Sequence, residues 1–583
     1  MILQNLLRPS PERCTEKELY CREENGQLIF NTWFNLFSVG KWLEYTEIRQ
    51  FSLKLRAAGS FEVKLFDRNG ELSGRTCCFA EETELTIPIP WKDDSFCIWF
   101  SFRPMDARAS LSGGAYVTDE EPLHEVRLAL DICTFRREEY VRRNMAVLKR
   151  AVLGNPESPL YGKTEVFLVD NGRTLSVDEF ASPHIRVFPN VNAGGSGGFT
   201  RGLLEISHDR EHLGLTHMIF MDDDAVLEPD SLVRTFALLS FVKDQYRESC
   251  IAGAMLRLDR RHVLHEQAAG WDGAMPVIPL PELDLRSFEN VLKNEGQASG
   301  EYAAWWFACY PLTVAGPGNL PMPFFLHDDD VEFSLRNRNG IMTLNGINVW
   351  HEVFDNKRGS ALSYYDVRNI LTTDALHPEY KGRKQAFRFI LKLTMANVMR
   401  YRYKDAALSC LAVEDFCKGP GFLKETDPEA YHGKIAGLGY QMKPAEALTD
   451  DPQVLEEIRS FPEQKEKYGI FKERYRKNRR KHLLTLNGWI FPADRRRVYA
   501  YPFGIWPTAL CGKAKVILFD PDSGKGILVE KSWKGLFGSV CCVLKMGAML
   551  LLRHPAVCRK YRKEEESLRT EEAWRRYLRL EDK

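Results

Sequence analysis

Met218-Ile-Phe-Met-Asp222-Asp223-Asp224-Ala225 is an apolar run that stops abruptly in three carboxylates. The four apolar residues read as a buried strand, and three adjacent carboxylates repel one another unless something positive sits among them. Alternate residues of an extended segment point the same way, so Asp222 and Asp224 are the pair placed to converge. Hard divalent cations such as Mn²⁺ or Mg²⁺ take oxygen ligands and bridge to substrate phosphates. A solvated acidic turn is the alternative; the direct attachment to a strand favours the cation.

Further strands lie upstream. Leu128 to Thr134, Glu165-Val-Phe-Leu-Val-Asp170 and Ile185-Arg-Val-Phe188 are strand-like, and Glu138 to Val152 is helical. Strands alternating with helices predict an α/β domain with a mixed, mostly parallel, Rossmann-like sheet. Its ligand site is expected at the carboxyl ends of the strands.

Three more groups of residues carry chemistry. Asn192-Ala-Gly194-Gly195-Ser-Gly-Gly-Phe-Thr-Arg201 lies between a strand and a helical region, where glycine admits a ligand to the backbone and helix-start amides favour phosphate. Its spacing matches neither a Walker loop nor the dinucleotide fingerprint. His327-Asp-Asp329-Asp330-Val-Glu332 follows an apolar segment, and Asp330 could take a proton from an attacking hydroxyl, with Asp329 and Glu332 shaping the site. The same carboxylates would also suit the positive end of a helix. Trp305-Trp306 could face a sugar or pack in the core, and His351 could bind metal or close a strand.

The segment before about Pro122 reads as β. Phe51 to Arg56, Phe61 to Leu65, Glu84 to Ile89 and Phe96 to Phe102 look like short strands, with a turn at Asp67-Arg-Asn-Gly70. A sandwich or barrel is expected over residues 1–124. The α/β domain then covers 125–376, and a mainly helical, basic region covers 377–583. That region includes the basic Lys472 to Arg480 and Arg495 to Arg497, a β-like piece at Ala514, and the apolar Leu536 to Leu552. The apolar stretch is marginal for spanning a bilayer and reads better as a buried or membrane-surface helix.

Composition narrows the function. Lys+Arg and Asp+Glu both number 80, so global charge gives no case for nucleic acid. The 14 cysteines include no Cys-x-x-Cys pair and suit a reducing cytoplasm better than a disulfide framework. No secretory signal is read at the start.

Taken in order, Asn-x-Gly-Gly-Ser-Gly-Gly-Phe, Phe-x-Asp-Asp-Asp, Trp-Trp, Asp-Asp-x-Glu and Trp-His resemble the GT-A glycosyltransferases of the family 2 type. Within them the chain is most similar to the galactan-polymerising UDP-galactofuranosyltransferases, through about Asn369. The resemblance implies a GT-A catalytic domain and an inverting, metal-dependent transfer of galactofuranose from UDP-galactofuranose to a glycan or lipid-linked glycan. It implies Asp222, Asp224 and His351 as ligands of Mn²⁺ or Mg²⁺, and Asp330 as base, preceded by Asp329. Thr134, Arg136, Asn171, Asn192, Gly194, Gly195, Asp222 and Asp223 fall at donor positions, and Trp305, Trp306 and Glu266 at acceptor positions. Tyr364-Tyr-Asp-Val-Arg-Asn369 matches a recurrent family segment without an assigned role. Asp328 and Asn171 depart from the galactofuranosyl pattern, which keeps a rhamnosyl- or other hexosyltransferase in view. A non-catalytic carbohydrate-binding protein is the reading from another class. The expected location is cytoplasmic, peripheral at the inner face of the cell membrane, with basic segments meeting anionic lipid and self-association into a homo-oligomer open.

Overall fold

The computed structural model describes residues 1–92, 94–297, 300–353, 359–380, 382–461, 484–521 and 523–580, and the basic Lys472 to Arg480 run lies outside them. The residues before Val126 form one seven-stranded antiparallel sheet built around a single long strand, Ser52–Asp67. Two short strands were expected there. Leu53, Leu55, Ala57, Phe61, Val63 and Leu65 stay in phase on one buried face, so nothing in the pattern ends the strand. The pairing register shifts at Gly59, where φ is +78° and an added Cβ would lie 2.4 Å from the Ala109 nitrogen. Glycine alone fits that crossing. The expected turn at Asp67 is present, with the Asp67 carboxylate accepting hydrogen bonds from the amides of Asn69 and Gly70 at 2.7 and 3.1 Å.

The α/β part is a mixed seven-stranded sheet. Its order is Ile185–Pro189, Thr164–Asp170, Leu128–Thr134, His217–Asp222, Ala308–Pro311, Cys250–Ala252 and Ile341–Met342. The first four run parallel, and Ala308–Pro311 is antiparallel to both its neighbours. The helices Glu138–Leu148 and Gly194–Leu213 connect the parallel strands. The second helix lies very close to the sheet. A Cβ on Gly198 would fall 2.0 Å from the Cys133 sulfur, and one on Gly202 would fall 1.9 Å from an Asp131 oxygen.

A second, five-stranded sheet runs Val226–Leu227, Asn348–His351, Ala254–Arg257, Val263–Glu266 and Leu283–Asp284. Its core is shared with the N-terminal segment: Trp33 and Phe34 pack with Leu256, Leu264 and Trp350, and the Trp33 indole donates to Asn348 Oδ1 at 3.0 Å. The buried Arg234 guanidinium reaches Asp230, Phe34 O and Asn345 O at 2.7, 2.6 and 2.8 Å. Each of its bonds is charge-assisted, as a buried cation requires.

The chain divides into two compact units. One comprises residues 1–271, 276–322 and 330–352; the other comprises 272–275, 323–329 and 353–583. The second unit contains the helices Leu362–Leu376, Gly382–Met399, Tyr403–Phe416 and Trp533–Leu568 and a four-stranded sheet. The Ala514 piece widens there into paired strands Lys513–Phe519 and Lys525–Glu530, flanked by Asp494–Pro502.

Candidate active site

The parallel strands end level with one another. Cys133 lies opposite Asp222, and Thr134 opposite Asp170, so the acidic run emerges at the carboxyl edge of the sheet. The chain turns there, with Ala225 N donating to Asp222 O at 3.4 Å, and returns as Val226–Leu227. That short strand pairs with Asn348–His351 so that Trp350 faces Val226, which carries His351 back over the acidic turn.

His351, Asp222 and Asp224 converge. His351 Nε2 lies 2.7 Å from Asp224 Oδ1 and 3.6 Å from Asp222 Oδ2. One ligand atom from each residue fits within a 4.8 Å span. The other ring nitrogen, Nδ1, is 2.7 Å from the Glu352 carbonyl oxygen. A carbonyl only accepts, so Nδ1 carries a proton; Nε2 then either donates to Asp224 from the charged ring or, in the neutral ring, offers its lone pair to a cation shared with the carboxylates. Two carboxylates and one imidazole suit Mn²⁺ well and Mg²⁺ less so.

One guanidinium also faces the acidic run. Arg137 Nη1 lies 2.9 Å from Asp223 Oδ1 and 2.7 Å from Asp224 Oδ2. Thr134 Oγ1 donates to Asp223 Oδ2 at 2.6 Å, and the Asn144 amide donates to Asp223 O at 2.8 Å. Arg143 donates to the carbonyls of Asp224 and Ala225, both at 3.2 Å. Burial raises the Asp222 carboxyl above its usual range, with Asp224 and Asp223 adding to the rise and His351 opposing it. Burial raises Asp223 as well, against Arg137 and Thr134, which favour its charged form. Asp223 is thus held by Thr134 and Arg137, Asp224 is shared between Arg137 and His351, and Asp222 faces His351.

Arg137, Arg143 and Asn144 were absent from the sequence expectation. The available signal was the Arg136-Arg137 pair just past a strand end, of which only Arg136 had been singled out. Arg136 adopts a left-handed conformation, φ +57°, between Thr134 and the helix Glu138–Leu148.

The glycine segment forms about the first two turns of the helix Gly194–Leu213 rather than a loop preceding it. Gly194 has φ +71° and its amide donates to Asn192 Oδ1 at 3.2 Å. Gly195 follows in the same turn. Asn171 is buried; its Nδ2 donates to Gly194 O at 2.8 Å and its Oδ1 accepts from Asn190 at 2.9 Å. Its side chain therefore holds the helix start in place.

Glu266 ends its strand and accepts from the Tyr302 hydroxyl at 2.8 Å. Burial pushes its carboxyl up to about 7; the Tyr302 hydrogen bond opposes this and the nearby Asp330 charge adds to it. Asp330 and Asp329 open the helix Asp329–Arg336, and Asp330 Oδ1 accepts from Val331 N at 2.8 Å. Trp305 and Trp306 sit deeper than a sugar-facing pair. They are 5% and 7% exposed. Trp305 stacks on Phe220 at 4.3 Å, with Phe199 and Phe333 at its edges, and Trp306 donates to Gly253 O at 3.0 Å.

Residues 132–244 match the family model described as Glycosyl transferase family 2. The matched range holds Thr134, Arg136, Asn171, Asn192 and Asp222 to Asp224, and stops short of Glu266, Asp330 and His351. The chain is also similar to the galactofuranosyltransferase GlfT2 of Mycobacterium tuberculosis (strain ATCC 25618 / H37Rv), 26% identical over 436 residues, 68% of this chain and 66% of that one. GlfT2 of Mycolicibacterium smegmatis (strain ATCC 700084 / mc(2)155) is 26% identical over 437 residues, 68% of this chain and 64% of that one. The chain thus spans just under two thirds of the length of these curated relatives. Among solved structures, the mannosyltransferase PcManGT from Pyrobaculum calidifontis, in complex with GDP-Man and Mn²⁺, matches with a TM-score of 0.29 and 14% identity. That match covers 55% of this chain and 81% of the mannosyltransferase chain, and at that score carries no weight for the site.

Proposed function

We propose that the protein is an inverting, metal-dependent GT-A glycosyltransferase that moves galactofuranose from UDP-galactofuranose onto a glycan or lipid-linked glycan acceptor. The observation that carries this is the convergence of Asp222, Asp224 and His351 at the carboxyl edge of the sheet. Those three residues would hold the cation, which when bound neutralises charge on the diphosphate. The first turn of the Gly194–Leu213 helix would offer the Gly195 amide to the same anionic group, with Asn192, which holds the Gly194 amide, shaping the turn. Thr134, Arg136 and Asn171 lie at the strand ends expected to hold the uridine, and Asp223 fixes the floor between them.

Asp330 accepts the proton of the acceptor hydroxyl as its oxygen bonds to the anomeric carbon. The bond from that carbon to the diphosphate oxygen breaks on the opposite face, and UDP leaves with the electron pair. Glu266, close enough to feel the Asp330 charge and partly protonated at neutral pH, can donate a hydrogen bond to an acceptor hydroxyl in its protonated form. Trp305 and Trp306 back the acceptor side from below.

The reading also places the enzyme on the cytoplasmic side of a membrane. The helix Trp533–Leu568 is long and apolar enough to cross one, yet little of its apolar window is buried within the protein. Trp533, Phe537, Val540, Leu544 and Leu551 form an exposed apolar face flanked by Lys534 and Arg553. That combination suits a helix lying in an anionic lipid surface.

A donor panel tests the assignment: UDP-galactofuranose, UDP-glucose and a rhamnose nucleotide, each with Mn²⁺, Mg²⁺ or EDTA, read by mass on lipid-linked acceptor analogues. Metal-dependent transfer of galactofuranose is expected. Preferential use of the rhamnose donor would favour the second reading, for which Asp328 and Asn171 speak, and no transfer from any donor would leave a carbohydrate-binding role. Asp330→Asn is expected to lower transfer at least about 100-fold while UDP binding holds; near-normal turnover would remove Asp330 as base.

A further inference from the structure

Tyr364-Tyr-Asp-Val-Arg-Asn369 has no part in the chemistry above, yet its side chains converge on one short piece of chain. That piece is the strap 323–328, which runs straight into the helix beginning Asp329-Asp330. Three of its residues, none of them glycine, are left-handed: Phe325, His327 and Asp328 have φ of 72°, 64° and 64°. Such a conformation persists only where the surroundings over-determine it.

Here they do. The buried Asn369 amide donates to the carbonyls of Phe324, Leu326 and His327 at 3.2, 2.7 and 2.9 Å, its two protons shared among three acceptors. Arg368 donates to Phe324 O through Nη2 and to Asn369 Oδ1 through Nε, the latter at 2.9 Å, so it orients the amide as well as the strap. The Arg368 guanidinium lies over the rings of Tyr364 and Tyr365, at 5.4 and 5.2 Å. Asp366 Oδ1 is 2.7 Å from His327 Nδ1, and the Phe325 ring stacks on Tyr365 at 5.1 Å. A single helix thus fixes carbonyls, a side chain and a ring of the strap.

We infer that Asn369, oriented by Arg368, is a positioning residue that sets the approach of the chain to Asp330 and so the placement of that carboxylate. The inference rests on the reading of Asp330 as base. Asn369 touches no reacting atom; it acts through the strap.

The test uses the full chain, with the donor that turns over and Mn²⁺. Asn369→Ala is expected to lower kcat about 100-fold, the scale of a misplacement near 1 Å. The KM for donor and the calorimetric affinity for UDP with Mn²⁺ should stay within about 2-fold of wild type, because the diphosphate end of the site is untouched. A kcat within about 3-fold of wild type would overturn the proposal, and so would an equal loss of UDP affinity, which would mark general damage. Asp366→Asn is the milder variant should Asn369→Ala not fold: it removes only the His327 pair and should lower kcat in the same direction with KM held, whereas an unchanged kcat counts against the strap. Asp330→Asn run alongside separates the two readings. Full activity there removes the base itself; an inactive Asp330→Asn beside a fully active Asn369→Ala removes only the positioning role.

Discussion

His327 shows how a single residue couples this region to pH. Desolvation would lower its pKa, although the side chain is 42% exposed; Asp366, with help from Asp328 and Asp329, raises it to about 9. The folded value exceeds the ordinary histidine value of about 6.5. The pair therefore contributes fully below about pH 6.5, and its contribution fades as pH rises through about 9. The thermal midpoint of wild type should exceed that of His327→Gln most at the acid end of pH 6 to 10 and converge with it above 9. A difference that stays constant across that range would refute the ion pair as its source. Some residues of the site could be read from the chain alone. Asp222 and Asp224 follow a strand directly, so their convergence is a local consequence of extended geometry. Arg137 could not be separated from Arg136 because a left-handed residue between strand and helix decides which side chain turns inward, and nothing in the local pattern reports φ. Asn369 was visible only as a recurring segment, since its partners lie more than forty residues earlier.

At the scale of elements, the glycine segment changed meaning most. Glycines near a strand end suggest close approach by a ligand, and Gly194 at the helix start keeps that reading. Gly198 and Gly202 serve a different approach, that of the helix to the strand Leu128–Thr134. Asp131, beneath Gly202, is fully buried, and its two oxygens have no hydrogen-bond partner among the described residues. Burial raises its carboxyl well above the usual range, which favours the protonated form. Gly202→Ala is expected to cost about 1–3 kcal/mol through overpacking, seen as a lower denaturant midpoint with an unchanged m-value. Adding Asp131→Ala should recover part of that loss, because it removes the atom that the new methyl group meets. Strictly additive losses would show that the crowding lies elsewhere. The strands and helices of the α/β part were legible because each carries its own periodicity. The long Ser52–Asp67 strand was not: alternation states which face is buried and leaves open where a strand stops.

For the whole molecule, the shared core around Trp33, Phe34 and Trp350 joins the N-terminal segment to the five-stranded sheet within one unit, so His351 depends on residues more than three hundred positions away. Sequence composition marked a change of character near Val126, but composition does not reveal that two differently built sheets close over one core. The second unit carries the apolar helix face, where Phe537, Leu544 and Leu551 are each about two-thirds exposed. Burying one such side chain is worth about 1.5–3 kcal/mol. Leu544→Glu with Leu551→Glu should therefore reduce co-sedimentation with vesicles rich in anionic lipid at least about 10-fold, without change in transfer to a soluble acceptor. Equal sedimentation of variant and wild type would show that the face meets something other than lipid. The same helix contains Pro555. Proline brings no amide hydrogen, so the Leu551 carbonyl lacks its regular partner four residues on. In hydrocarbon a carbonyl without a partner costs several kcal/mol, whereas among hydrated headgroups water satisfies it. On the proposed lipid contact, Pro555 would mark a waterline: the turns before Leu551 would sink into the acyl boundary, and the charged turns after it would stay afloat.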